Sequence, residues 1–179
     1  MTSKEFKKIK DKYGKCASWA IWNPDNIKDL SVIEKNREYL NSNIIMIGLN
    51  VSAGIKNDWQ NFHGGLYDRR LVKLFNIKPY RGAYITDFIK DYIEPNSKLV
   101  LKELDKPTVY KYKKEFEKEI EDIKAENPLI ILFGGDSNKF VKVFKELFEK
   151  KFEKIINIPH FSSWGSDEEW IKKVKSKLK

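Results

Sequence analysis

Apolar residues along the chain follow two alternating rhythms. Short runs of four or five residues, Ile44-Ile-Met-Ile-Gly48, Ala83–Thr86, Leu129–Phe133 and Ile155–Ile158, are continuous and rich in β-branched side chains. That pattern predicts strands buried on both faces. Between them apolar positions recur every three or four residues, which predicts amphipathic helices. Phe6, Ile9 and Tyr13 mark one over 4–13, and Val109, Tyr112, Phe116, Ile120 and Ile123 mark a long one. Phe140, Val141, Phe144, Leu147 and Phe148 mark the next, and Trp170, Ile171, Val174 and Leu178 the last. The last opens with Ser166 and Glu169 at capping-box spacing. A polar stretch around 27–40 and the segment Leu66–Phe75 also read as helical. Cys16 to Trp22 is compact and aromatic, and Asn23-Pro24 punctuates it. Asn50 to Gly65 is a loop rich in Gly, Asn and aromatic residues, and Pro95 and Pro107 interrupt a mixed segment.

Strands alternating with helices predict a mostly parallel sheet covered on both sides. The expected architecture is a three-layer α/β/α domain on a four-stranded central sheet, one domain over 1–179 with no internal repeat. In such sheets ligands bind beyond the carboxyl ends of the strands. The strand ends here deliver Gly48-Leu49-Asn50, Asp87, Phe133-Gly-Gly-Asp136 and Ile158-Pro-His160.

Composition narrows the picture. An aromatic share of 13% and a hydrophobic share of 41% belong to a folded chain. A formal charge of +9 favours an anionic partner, although lysines on solvated helix faces account for it equally well. The single cysteine, Cys16, excludes an internal disulfide and any multi-cysteine metal centre, and reads as a small core residue. With two histidines and no paired acid cluster, neither a metal nor a cofactor is expected. No apolar run reaches the length of a membrane span, so the expectation is a cytoplasmic protein with no membrane partner, a monomer.

Four segments, in order, resemble motifs of the uracil-DNA glycosylase superfamily. Ile47-Gly-Leu-Asn50 is similar to its first motif, in which a strand hands over a water-orienting Asn or Asp. Asn61-Phe62-His63-Gly64 resembles the Phe-x-Gly whose ring stacks on the extruded base. Tyr84-Ile-Thr-Asp87, with Ile89-Lys90, resembles the motif whose amide reads the base edge, and Pro159-His160-Phe161-Ser162 the final His-Pro-Ser segment. The resemblance spans 44–164. It implies Asn50 and His160 as catalytic residues, and Gly48, Val51, Phe62 and Asp87 as the base-binding set. Ser52, Ser162 and Ser163 would contact DNA phosphates, and DNA would be the partner.

The implied activity is a DNA glycosylase that flips and hydrolytically excises a deaminated or modified base. Breaking an N-glycosidic bond puts positive charge on the sugar and negative charge on the departing base. The site therefore needs a positioned water, a stacking plane, an edge reader and a donor. Three positions depart from the family's pattern: Val51 replaces a Pro, Pro159 precedes His160, and Asp87 stands where the family carries Asn. An ionised carboxylate only accepts hydrogen bonds, so Asp87 sets uracil in question. The other reading is a non-catalytic relative that binds nucleic acid or a nucleotide in the same crevice.

Other functions of these residues are simpler. Asn50 reads equally as a turn residue, Phe62 and Trp59 as core caps, His63 as a surface or loop residue and His160 as structural. Gly135-Asp136-Ser137 resembles the nucleophile motif of GDS-type lipases, but no acid stands three residues before His160, where position 157 is Asn. That segment reads as a strand-to-helix turn capped by Asp136 or Ser137.

Overall fold

A computed structural model describes all of residues 1–179. Its elements are α1 (Ser3–Tyr13), β1 (Ala17–Trp19), α2 (Ser31–Lys35), β2 (Asn41–Asn50), α3 (Asp68–Phe75) and β3 (Ala83–Ile89). Then follow α4 (Ser97–Glu103), α5 (Val109–Asp122), β4 (Leu129–Phe133), α6 (Lys139–Phe148), β5 (Ile155–Ile158) and α7 (Asp167–Lys177). The sheet runs in the order β1-β3-β2-β4-β5. Pairs β3·β2, β2·β4 and β4·β5 are parallel, and β1 lies antiparallel to β3.

The sheet therefore has five strands rather than the expected four. Its extra member, Ala17-Ser-Trp19, pairs Ala17 with Thr86, Ser18 with Ile85 and Trp19 with Tyr84. Three residues are too few to show a period, and all three are buried. The polar stretch around 27–40 is mostly irregular, with only α2 and a single 3₁₀ turn at Arg37–Tyr39. Side chains of Asn23, Asn26 and Asp29 each accept a hydrogen bond from the backbone N–H two residues on, at 3.0–3.2 Å. Such local bonds offer the backbone an alternative to helix. The mixed segment contains α4, whose cap, Asn96, accepts from the Lys98 N–H at 3.1 Å. Neither Asp136 nor Ser137 caps α6. Asn138 does, accepting from the Phe140 N–H at 2.8 Å.

Every inner strand sends alternate residues to opposite faces, and two apolar clusters result. Ile45 and Ile47, Tyr84 and Phe88, Ile130 and Leu132 join Phe6 and Ile9 of α1, Phe116 of α5 and Phe144 of α6. Met46, Ile85, Ile131 and Phe133 join Leu71 and Leu74 of α3 and Trp170 and Val174 of α7. Helices thus cover both sides of the sheet. The connection from β2 leads to β3 on one side, and the connection from β4 leads to β5 on the other. Connections diverging from neighbouring strands open a crevice beyond their carboxyl ends. Here that point lies between β2 and β4. No helix is long and apolar enough to cross a membrane.

Candidate active site

A cavity of about 800 Å³ occupies that crevice. Gly48, Asn50, Ser52, Phe62, Asp87, His160, Ser162 and Ser163 all line it. Of the expected site residues only Val51 is elsewhere. It is buried and borders a second cavity, of about 670 Å³, with Cys16 and Lys90. The parallel register explains the difference: Asn50 pairs across to Ile89 at the end of the strand, so the next residue turns away from the crevice.

Gly48 and Asp87 sit side by side on β2 and β3. A Cβ built on Gly48 would stand 2.1 Å from Asp87 Oδ1 and 3.6 Å from the tip of the Phe62 ring. The glycine is what lets the carboxyl lie against the neighbouring strand. Gly48→Ala is therefore expected to lower stability by about 1–3 kcal/mol, as overpacking does. Denaturant unfolding measures this. A variant as stable as the parent would show that Asp87 is not packed there.

Asp87 is buried, and Asn61 Nδ2 donates to its Oδ2 at 2.8 Å. The same nitrogen donates to the Cys16 carbonyl at 2.9 Å. Burial pushes the Asp87 carboxyl up to about 7, against the lowering effect of Asn61 and of the Lys90 ammonium. Lys90 Nζ donates to the Asp87 carbonyl at 2.5 Å and pairs with Glu119 Oε2 at 2.7 Å. Glu119, wholly buried on α5, also receives the hydroxyls of Tyr84 at 2.7 Å and Thr86 at 2.9 Å. The end of β3 is thereby clamped from behind.

Phe62 adopts the left-handed backbone conformation, φ 63°, and its ring packs on Phe133 and Phe161. Beside it His63 is buried rather than at the surface. Its Nε2 lies 3.3 Å from the Trp19 carbonyl and its ring stacks on Trp22. Trp59 belongs to the core.

Asn50 has its amide nitrogen committed. Nδ2 meets the carbonyls of Val51 at 3.0 Å, Tyr92 at 3.3 Å and Glu94 at 2.9 Å. Three carbonyls around one end fix which atom is nitrogen. Oδ1 remains as the free acceptor.

His160 is fixed at its other end. Nδ1 accepts from the Ser162 N–H at 3.1 Å and lies 2.7 Å from Ser162 Oγ. An accepting Nδ1 makes the neutral ring an Nε2–H donor. Burial lowers its pKa to about 4, so it is neutral at physiological pH. The ring stacks on Phe161 at 4.3 Å.

Arg70 holds this segment in place, and sequence reasoning gave it no role. It is buried, donates to the carbonyls of Phe161 at 3.0 Å, Ser163 at 2.8 Å and Gly165, and pairs with Asp167 at 2.9 Å. Asn61 and Asp68 also line the cavity unanticipated. Burial raises the Asp68 carboxyl, which accepts from the Gly65 N–H at 2.7 Å. The loop's abundance of Asn and Gly hinted at Asn61, and nothing hinted at Asp68, which opens α3.

Cys16 is held as a thiol, pushed up to about 12 by burial. Asp136 bonds to Asn157 at 2.8 Å and to Lys177 at 2.9 Å, and Ser137 makes no hydrogen bond. Nothing activates Ser137 as a nucleophile. No three His, Cys, Asp or Glu side chains converge as metal ligands would. Comparison with protein-family models, with curated proteins and with solved structures gives no match.

Proposed function

We propose that this chain is a divergent member of the uracil-DNA glycosylase superfamily that hydrolyses the N-glycosidic bond of a base flipped out of DNA. The observation that carries this reading is one cavity bordered by a free amide acceptor, Asn50, and a neutral imidazole donor, His160. Asn50 Oδ1 accepts a hydrogen bond from a water and aims its oxygen at the anomeric carbon. The water forms the new C–O bond as the C–N bond breaks, and the bonding pair leaves with the base. His160 Nε2–H donates to the carbonyl oxygen on which that charge gathers. An amide cannot take up the water's proton, which passes to solvent. Phe62 stacks on the flipped base, and Asp87 meets its edge. Ser52, Ser162, Ser163 and the net charge of +9 suit a phosphate backbone.

The test uses end-labelled thymidine-tract oligonucleotides, each with one uracil, hypoxanthine, xanthine, adenine, cytosine or guanine. Single strands and duplexes are incubated with the protein, and alkali reveals abasic sites. Breakage at one class of base, lost in Asn50→Ala, is the expected result. Intact strands throughout, from protein shown to be folded, would overturn the glycosylase reading in favour of a binding protein.

A further inference from the structure

We propose that the base taken by this crevice carries both an exocyclic amino group and a carbonyl oxygen, as cytosine and guanine do, with the amino group bound by Asp87. The inference rests on the excision reading above and specifies its substrate class.

The donor and acceptor inventory around the base decides it. Both N–H bonds of Asn61 are already spent, one on Asp87 Oδ2 at 2.8 Å and one on the Cys16 carbonyl at 2.9 Å. The amide is therefore locked with its nitrogen turned to protein, and it offers the cavity only Oδ1. Asp87 Oδ2 is occupied by that bond, which leaves Oδ1 beside Gly48. The edge reader thus consists of oxygens, and oxygens there call for N–H groups. Asn50 presents a third acceptor, intended for water rather than for the base. His160 supplies the N–H donor among these side chains and calls for a carbonyl.

Uracil, thymine and xanthine would set a second carbonyl against the carboxylate, and hypoxanthine lacks the amino group. Adenine has the amino group but no carbonyl for His160. Cytosine satisfies both ends with its amino group and O2, and guanine with its amino group and O6. The cavity, at about 800 Å³, admits either ring system. Lys90, with its ammonium on the Asp87 main-chain carbonyl at 2.5 Å, favours the acceptor form of the carboxyl. Burial opposes it and sets the pKa at about 7, so the carboxylate predominates at pH 8.

The same oligonucleotides at pH 8 provide the test, with Asp87→Asn as the comparison. That change preserves shape beside Gly48 and the acceptor for Asn61, and replaces Oδ1 by an N–H donor. Wild type is expected to excise cytosine or guanine in preference to uracil by about 10²–10⁴-fold, since a buried polar group left unpaired is strongly rejected. Asp87→Asn is expected to reverse that order. Wild type that prefers uracil or hypoxanthine would overturn the inference and leave the glycosylase reading intact. If no strand is cut, the glycosylase reading falls. Ligand-observed NMR with free cytosine and free uracil then decides the edge chemistry alone: selective binding of cytosine supports it, and equal or stronger binding of uracil refutes it.

Discussion

Glu119→Ala is expected to cost about 3–5 kcal/mol of folding stability, the usual penalty for stripping one partner from a buried ion pair. The change removes the acceptor for Lys90 Nζ and for the hydroxyls of Tyr84 and Thr86, all inside the protein. Lys90 would keep the Asp87 carbonyl as its one protein partner. Domains are stable by only about 5–15 kcal/mol, so a large part of the total is at stake. At about 2–4 °C per kcal/mol for a chain of this size, the melting temperature should fall by roughly 10 °C. The double variant Glu119→Leu with Lys90→Met should recover most of that loss, because an apolar replacement leaves no charge stranded. A single variant melting within 2–3 °C of wild type, about 1 kcal/mol, would mean that water reaches the pair. The clamp would then have no claim to positioning Asp87.

The periodic parts of the chain were legible because burial there is one-dimensional. Leu129–Phe133 and Ile155–Ile158 are strands with the bounds their apolar runs suggest, flanked by Pro128 and Pro159. β1 was hidden because a three-residue strand has no period and exists only through its pairing with β3. Glu119 was hidden differently. It stands in Lys-Glu-Phe-Glu-Lys-Glu, where a buried acid and a solvated one look alike in sequence. Only the arrival of Tyr84, Thr86 and Lys90 from β3 distinguishes it. The crevice was legible as a set of strand ends, and Gly48, Asn50, Asp87 and His160, picked out by that position, all line it. What holds them was not, because Asn61 and Arg70 act through contacts spanning 26 and more than 90 residues. Val51 was misplaced for a related reason: a motif gives neighbours in sequence, whereas a strand ending turns the next residue to another face.

His160→Ala is expected to slow excision by about 10²–10³-fold, the usual loss when one preorganised donor to a developing oxyanion is removed. His160→Gln, which can restore an N–H, should recover part of the rate. The pH profile separates a neutral donor from a cationic one. With its pKa lowered to about 4 by burial, His160 keeps one charge state from pH 5 to pH 8 and contributes no inflection there. Were it an imidazolium, the rate would decline as pH rose through the ordinary histidine range. The group that does titrate in the window is Asp87, at about 7, flanked by Asn61 from the loop, Lys90 at the end of its own strand and Glu119 from α5. As pH rises its acceptor form fills, so excision of an amino-bearing base should increase through pH 7 and then level. In Asp87→Asn that rise should vanish. The same shift works against stability. A carboxyl whose folded pKa exceeds its unfolded value leaves the folded state holding the extra proton between the two, so stability falls as pH rises across that interval. Asp87→Asn should accordingly raise the melting temperature at pH 8 relative to wild type, and raise it less at pH 4. A wild-type rate that falls between pH 6 and pH 8 would contradict the acceptor role of Asp87. A stability gain in Asp87→Asn that is the same at both pH values would show that the carboxyl bears no penalty from burial.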